Sequence, residues 1–106
     1  MISLTKDKRM LGYEALAPHP DISCFVTTRH GGCSTGNYAS FNCTPYTGDH
    51  PDCVRKNQEL LCAALPFTPR ELVIPFQTHG ISSLIIDETY LNATHSERQS
   101  MLQGVA

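Results

Sequence analysis

The stretch Ile22-Ser23-Cys24-Phe25-Val26-Thr27-Thr28-Arg29-His30-Gly31-Gly32 sets the terms of the fold. Ile22, Cys24 and Val26 alternate with Ser23, Phe25 and Thr27, so both faces of an extended chain here are mostly apolar. That pattern predicts an interior strand, residues 22–28, in a sheet covered on both sides. The run then breaks into an arginine and two glycines. An arginine at a strand end can offer a planar fork of donors to a phosphate or carboxylate. It can equally cap the end of a sheet at the surface.

Upstream, Met10 to Ala17 reads as a first strand or extended segment, closed by Pro18-His19-Pro20. Downstream, residues 29–48 are rich in Gly, Ser, Thr and Asn. Twenty residues without a periodic pattern are unusual in a compact domain and point to a functional loop. Successive turns there could form anion-binding nests of backbone N–H groups. A Walker lysine and the GxGxxG spacing are both missing, so no standard nucleotide fingerprint is present. Within the loop, Asn42 could orient a substrate amide or hydroxyl. Asp49 is expected to brace its own turn.

Asp49-His50-Pro51 reads as a helix start, with Asp49 or His50 as the cap and Pro51 in the first turn. The helix is expected over about residues 51–65. Val54, Leu61 and Leu65 form its apolar stripe, widened by Cys62 and Ala64 and interrupted by Asn57 and Gln58. Pro66 and Pro69 end it. Leu72 to Thr78 and Ser82 to Asp87 read as two further strands, separated by Gly80 and Ile81 at hairpin distance. Pro75 confines the first of them to an edge or a bulge. A short helix is expected at Ser96 to Gln103, capped by Thr94 or Ser96 and stopped at Gly104.

Composition narrows the functional classes. The chain has 106 residues, 41% hydrophobic and 17% charged, which describes one globular domain at most. A net charge of −2 gives no electrostatic case for nucleic acid or an anionic membrane surface. No apolar run approaches the ~20 residues of a membrane span. The charged N-terminus has no apolar segment behind it, so a cytoplasmic location is the expectation. Cys24, Cys33, Cys43, Cys53 and Cys62 lie nine or ten residues apart, with no Cys-x-x-Cys pair. An odd count without a secretory signal argues for reduced thiols over a disulfide framework.

His79, in Phe76-Gln77-Thr78-His79-Gly80, stands at a predicted strand end beside a glycine. That placement suits a metal ligand or a general base, yet a zinc site needs two or three companions. His19, His30, His50 and His95 lie in loops or near element ends, and none stands at the i, i+4 spacing of a helical zinc site.

Taken together, four segments resemble the YfiH-like family of laccase-domain proteins, also called multicopper polyphenol oxidases. Residues 25–34, Phe25-Val26-Thr27-Thr28-Arg29-His30-Gly31-Gly32-Cys33-Ser34, are similar to its opening motif, F-x-T-R-x-G-G-x-S. Asn37-Tyr38-Ala39-Ser40-Phe41-Asn42 resembles its "y-x-s-l-N" segment, and Gly48-Asp49 with Val54 and Asn57 its "G-D…V…N-R" helix. Phe76-Gln77-Thr78-His79-Gly80 is similar to its "Q-x-H-G". The likeness runs over about residues 22–106. One departure is Gln58, where the family often has arginine.

The resemblance implies a mixed α/β (α+β) fold, a sheet with flanking helices forming the N-terminal portion of a sandwich. It implies that residues 1–106 are a single domain lacking its C-terminal half, because the family's later "A-D-C" and "H-A-G-W-R-G" segments are not in this sequence. The implied activity is that of a purine nucleoside phosphorylase that also deaminates adenosine and cleaves methylthioadenosine. Its substrates would be a purine nucleoside and phosphate. The implied metal is zinc, with His79 as one of three ligands, and Arg29 and Asn42 help to position phosphate or ribose. The 106 residues alone are then expected to be inactive. Two alternatives stand beside this. A copper-dependent, laccase-like polyphenol oxidase is the family's older label, though one such histidine and no His-x-His pair make a poor multicopper site. A non-catalytic binding or assembly module would self-associate through the unpaired edge of an incomplete sheet.

Overall fold

The computed structural model describes residues 1–69 and 71–106. The chain divides into two compact units, Met1–Pro69 and Arg70–Ala106, each of which is taken by itself. Together they hold strands and helices in the mixed α/β class.

In the first unit three short strands form an antiparallel sheet in the order β1-β2-β3. They are β1 (Ile2–Ser3), β2 (Met10–Gly12) and β3 (Phe25–Thr27). Leu11 faces Val26 in register, and Ile2 faces Gly12. The middle strand is therefore β2, whose Met10 is buried. The strand expected over residues 22–28 contracts to three residues at an edge of this sheet, with Val26 at 38% exposure and Ile22 at 50%. An apolar run on both faces reports a capacity to be covered. It does not report pairing order, which the nearby Met10 segment decides. The first predicted strand likewise ends at Gly12, and turns occupy the residues that follow.

Helix α1 (Pro51–Ala64) matches its expectation closely. The His50 ring nitrogen Nδ1 accepts from the Asp52 N–H at 3.2 Å, and Pro51 fills the first turn, where its missing N–H costs nothing. Met10, Phe41 and Leu61 form the small apolar core, with Phe25, Cys43, Leu60, Ala64 and Leu65 packed around it. The Arg9 guanidinium covers the Phe41 ring at 5.2 Å.

The second unit departs further from the sequence reading. Neither the strand at 72–78 nor the one at 82–87 forms a hairpin. Instead Phe76 bridges Gln103 in parallel. The Phe76 N–H donates to the Leu102 carbonyl at 3.0 Å and the Thr78 N–H to the Val105 carbonyl at 2.9 Å. Alternate donors thus go to a distant segment, brought back by Gly104 at φ +73°. The chain only bends at His79-Gly80, and Ile81 and Ile85 are 101% and 79% exposed.

A short helix that the periodicity did not predict, α2 (Glu88–Leu91), begins at Asp87, whose carboxylate accepts from the Thr89 and Tyr90 N–H groups. Helix α3 (His95–Met101) starts at Thr94 with a full capping box, Thr94 and Glu97 each serving the other's backbone N–H. Arg98 ties the two helices: it stacks on Tyr90 at 4.9 Å, donates to the Tyr90 carbonyl at 3.1 Å and pairs with Glu71.

Candidate functional site

The glycine loop and the start of α1 meet at one buried amide. Asn57 has no exposed surface, although the stripe reading made it an interruption. Its Oδ1 accepts from the Cys33 N–H at 2.9 Å. Its Nδ2 donates to Ser34 Oγ at 2.9 Å, to the Asn42 carbonyl at 2.8 Å and to the Ser40 carbonyl at 3.3 Å. One side chain thereby fixes the loop at four residues along ten residues of chain. Buried polar groups persist only when paired, and this one uses both ends of its amide.

Ser34, also buried, passes the network outward by donating to Asp49 Oδ2 at 2.6 Å. Asn42 Nδ2 reaches the same carboxylate oxygen at 3.2 Å and Thr47 Oγ1 at 3.0 Å. The His50 N–H donates to Asp49 Oδ1 at 2.8 Å. The Ser34 hydroxyl, with help from Asn42 and His50, holds the Asp49 carboxyl below its usual range against a smaller opposing effect of burial. Asp49 does brace its own turn, and it also anchors the far end of the loop.

Arg29 and Asn42 are brought together. Both line an open cavity of about 330 Å³ with Asn37, Tyr38, Ala39 and Phe41. Arg29 Nε donates to the Ala39 carbonyl at 3.0 Å, while its own carbonyl accepts from the Ser40 and Phe41 N–H groups at 2.7 and 3.0 Å. This leaves an exposed guanidinium, aimed by its Nε bond, beside aromatic and amide side chains. Such a cavity can take an anion at the arginine and a flat or hydroxylated group against Tyr38 and the amides. Asn42 spends its amide on the loop, with Oδ1 accepting from the Thr44 N–H at 3.3 Å.

Gly32 shows why the second glycine is needed. A Cβ there would lie 2.2 Å from the Ser40 carbonyl oxygen and 2.6 Å from Phe41 Cα. Gly31 at φ +84° has its carbonyl held by Arg9 Nη2 at 2.8 Å. Arg9 carries no signal in the sequence, while Ser34 and Asn57 enter there as letters of the motifs, with no role in a site. For Asn57 a signal existed: it lies three residues after Val54 and four before Leu61, on the buried face of α1.

His79 is in the second unit, exposed, in a bend after the Thr78 pairing. Thr78 Oγ1 donates to the Gly104 carbonyl at 3.2 Å, so the residue before it is tied down. Among the described residues, no three His, Cys, Asp or Glu side chains gather to hold a metal. The donors present therefore do not make a closed three-ligand zinc site. All five cysteines are free thiols. No helix of the described residues is long and apolar enough to cross a membrane.

Comparison with known proteins gives one consistent result. A purine nucleoside phosphorylase of Bacteroides thetaiotaomicron is 61% identical over 105 residues, covering 99% of this chain and 39% of the relative. A purine nucleoside phosphorylase of Corynebacterium glutamicum is 39% identical over 62 residues, 58% of this chain and 25% of the relative. One from Haemophilus influenzae is 43% identical over 62 residues, 57% of this chain and 24% of the relative. The chain thus spans well under half the length of each curated relative. No solved structure gives a significant match. The family model described as multi-copper polyphenol oxidoreductase laccase matches residues 23–104, which takes in the glycine loop, the Asn57 hub and His79, and the chain belongs to that family.

Proposed function

We propose that this chain supplies part of a purine nucleoside phosphorylase, and that the Arg29 cavity receives phosphate or the nucleoside. The observation that carries the reading is the exposed, Nε-anchored guanidinium at the mouth of a cavity shared with Tyr38 and Asn42. It is supported by the name of a relative 61% identical over nearly the whole chain. Phosphorolysis needs an anion held in line with the anomeric carbon while the base departs. Arg29 is suited to hold the anion, and Tyr38 offers a flat face to a base or sugar. Asn42 acts through its loop contacts, keeping the cavity wall in place. Adenosine deamination and methylthioadenosine cleavage would be further reactions of the same protein.

The metal expected by resemblance is zinc, and His79 would give one ligand. This chain's described residues supply no set of three, so no step is assigned to a metal here. Nothing in their arrangement favours copper and phenol oxidation over zinc. The exposed Ile81 and Ile85 and the edge strand β3 are compatible with the assembly-module reading. They do not favour a separate function.

The test is phosphorolysis of inosine or adenosine by the 106-residue chain and by a longer protein that includes it. The expected result is little or no turnover by the short chain. In the longer protein, Arg29→Ala should raise the KM for phosphate more than tenfold. Turnover by the short chain at the longer protein's rate sinks the reading that it is incomplete. An unchanged phosphate KM removes Arg29 from the site.

A further inference from the structure

Two of the five thiols are not scattered. Cys33 sits in the glycine loop and Cys53 in the first turn of α1. Cys33 Sγ donates to the Cys53 carbonyl at 3.5 Å, and Cys53 Sγ donates to the Cys33 carbonyl at 3.6 Å. The contacts are reciprocal, so each sulfur lies over the other residue's backbone. Cys33 Sγ also lies 3.3 Å from Asn57 Oδ1, and its backbone N–H is held by the same oxygen. Both residues are half-buried, so a small reagent can reach them.

We propose that Cys33 and Cys53 are an oxidisable pair that closes to a disulfide and staples the glycine loop to α1. The oxidant class is a hydroperoxide. One thiol attacks the peroxide, whose O–O bond breaks, giving a sulfenic acid and one water. The second sulfur attacks the sulfenic sulfur, the S–O bond breaks, and a second water leaves as the S–S bond forms. Two thiols lose two electrons and two protons in all, and the peroxide is reduced to two waters.

A disulfide needs Cβ atoms roughly 4 Å apart, and two thiols each in reach of the other's carbonyl belong to that scale. Burial first, and the adjacent Cys33 thiol after it, push the Cys53 thiol up from its ordinary value, as expected of two neighbouring sulfurs. Closure then needs side-chain rotation of each sulfur away from a carbonyl, on a backbone that Asn57 already positions. Cys43 is a poor competitor. Burial, aided by the neighbouring Cys62, pushes its thiol up to about 11, so it stays protonated at neutral pH.

The experiment treats the fully reduced chain with hydrogen peroxide, counts thiols after denaturation and maps the linked peptides by mass spectrometry. The expected result is a fall from five thiols to three, reversed by a dithiol reductant, with a linked peptide joining Cys33 to Cys53. Cys43→Ser should still lose two thiols and give the same linked peptide. Cys53→Ser should give no disulfide-linked peptide within the chain under the same exposure, because Cys33 is left without the sulfur that closes the bond. Persistence of all five thiols in the natural chain overturns the proposal. So does a map that joins Cys43 to Cys62, or one that shows only bonds between chains.

Discussion

Replacing Asn57 by alanine removes five hydrogen bonds at once, but the losses are unequal. The Ser40 carbonyl keeps the Ser34 N–H at 2.9 Å, and Ser34 Oγ keeps Asp49. The Cys33 N–H and the Asn42 carbonyl have no other partner in the network. Each stranded group in a buried place costs about 1–3 kcal/mol. With the small void left by the amide, the expected loss is about 3–5 kcal/mol, against a typical total stability of about 5–15 kcal/mol. Urea unfolding followed by circular dichroism should show the midpoint falling by about 2–3 M, for a slope near 1.5 kcal/mol/M. Asn57→Asp separates lost shape from lost donation. It keeps the volume and the acceptor for Cys33, but a carboxylate cannot donate to the Ser40 and Asn42 carbonyls. Burial beside carbonyls raises the folded-state pKa of the introduced carboxyl above its unfolded value. Its cost is therefore full at neutral pH and shrinks as pH falls through that raised value, when the neutral acid regains one donor. Asn57→Asp should thus recover on mild acidification while Asn57→Ala does not. A midpoint shift under about 0.5 M for Asn57→Ala would refute the hub reading, because it would correspond to less than one ordinary hydrogen bond.

Two further expectations follow from the same loop. Asp49 has its folded pKa lowered, first by the Ser34 hydroxyl and also by Asn42 and His50. Its contribution to stability is present above the unfolded value and is lost as pH falls through the folded one, below about pH 4. Asp49→Asn should flatten the acid limb of a stability–pH curve; an unaltered limb would show that the carboxylate is not linked to folding. Gly32→Ala forces a methyl to within 2.2 Å of the Ser40 carbonyl oxygen, a backbone atom that cannot step aside. The expected cost is about 3 kcal/mol or more by thermal unfolding, with loss of whatever ligand the Arg29 cavity holds. Full stability in that variant would mean that the loop takes another path.

The parts of the fold that local rules govern were legible. His50-Pro51 announced α1, and Thr94, one of two candidate caps, announced α3, because caps are read within a few residues. The glycine loop was legible as a loop, and Arg29 and Asn42 do share its cavity. What failed was pairing at a distance. The donors of Phe76 and Thr78 go to residues 102 and 105, which no turn near Gly80 could announce. Asn57 was misread for a different cause. A polar residue in an apolar stripe looks like a fault, yet one at the centre of the stripe is buried whatever its chemistry. The better inference is that its partners come from elsewhere, here from residues 33–42.

The Asn57 contacts are mostly with backbone atoms: the Cys33 N–H and the carbonyls of Ser40 and Asn42. A template that grips main chain is blind to the side chains it positions. The loop's path and its chemistry are thereby separable, the first set by one amide in a helix and the second free to drift at positions 37–39. Recognition at the cavity could be rewritten by substitution along this rim without redesigning the scaffold beneath it.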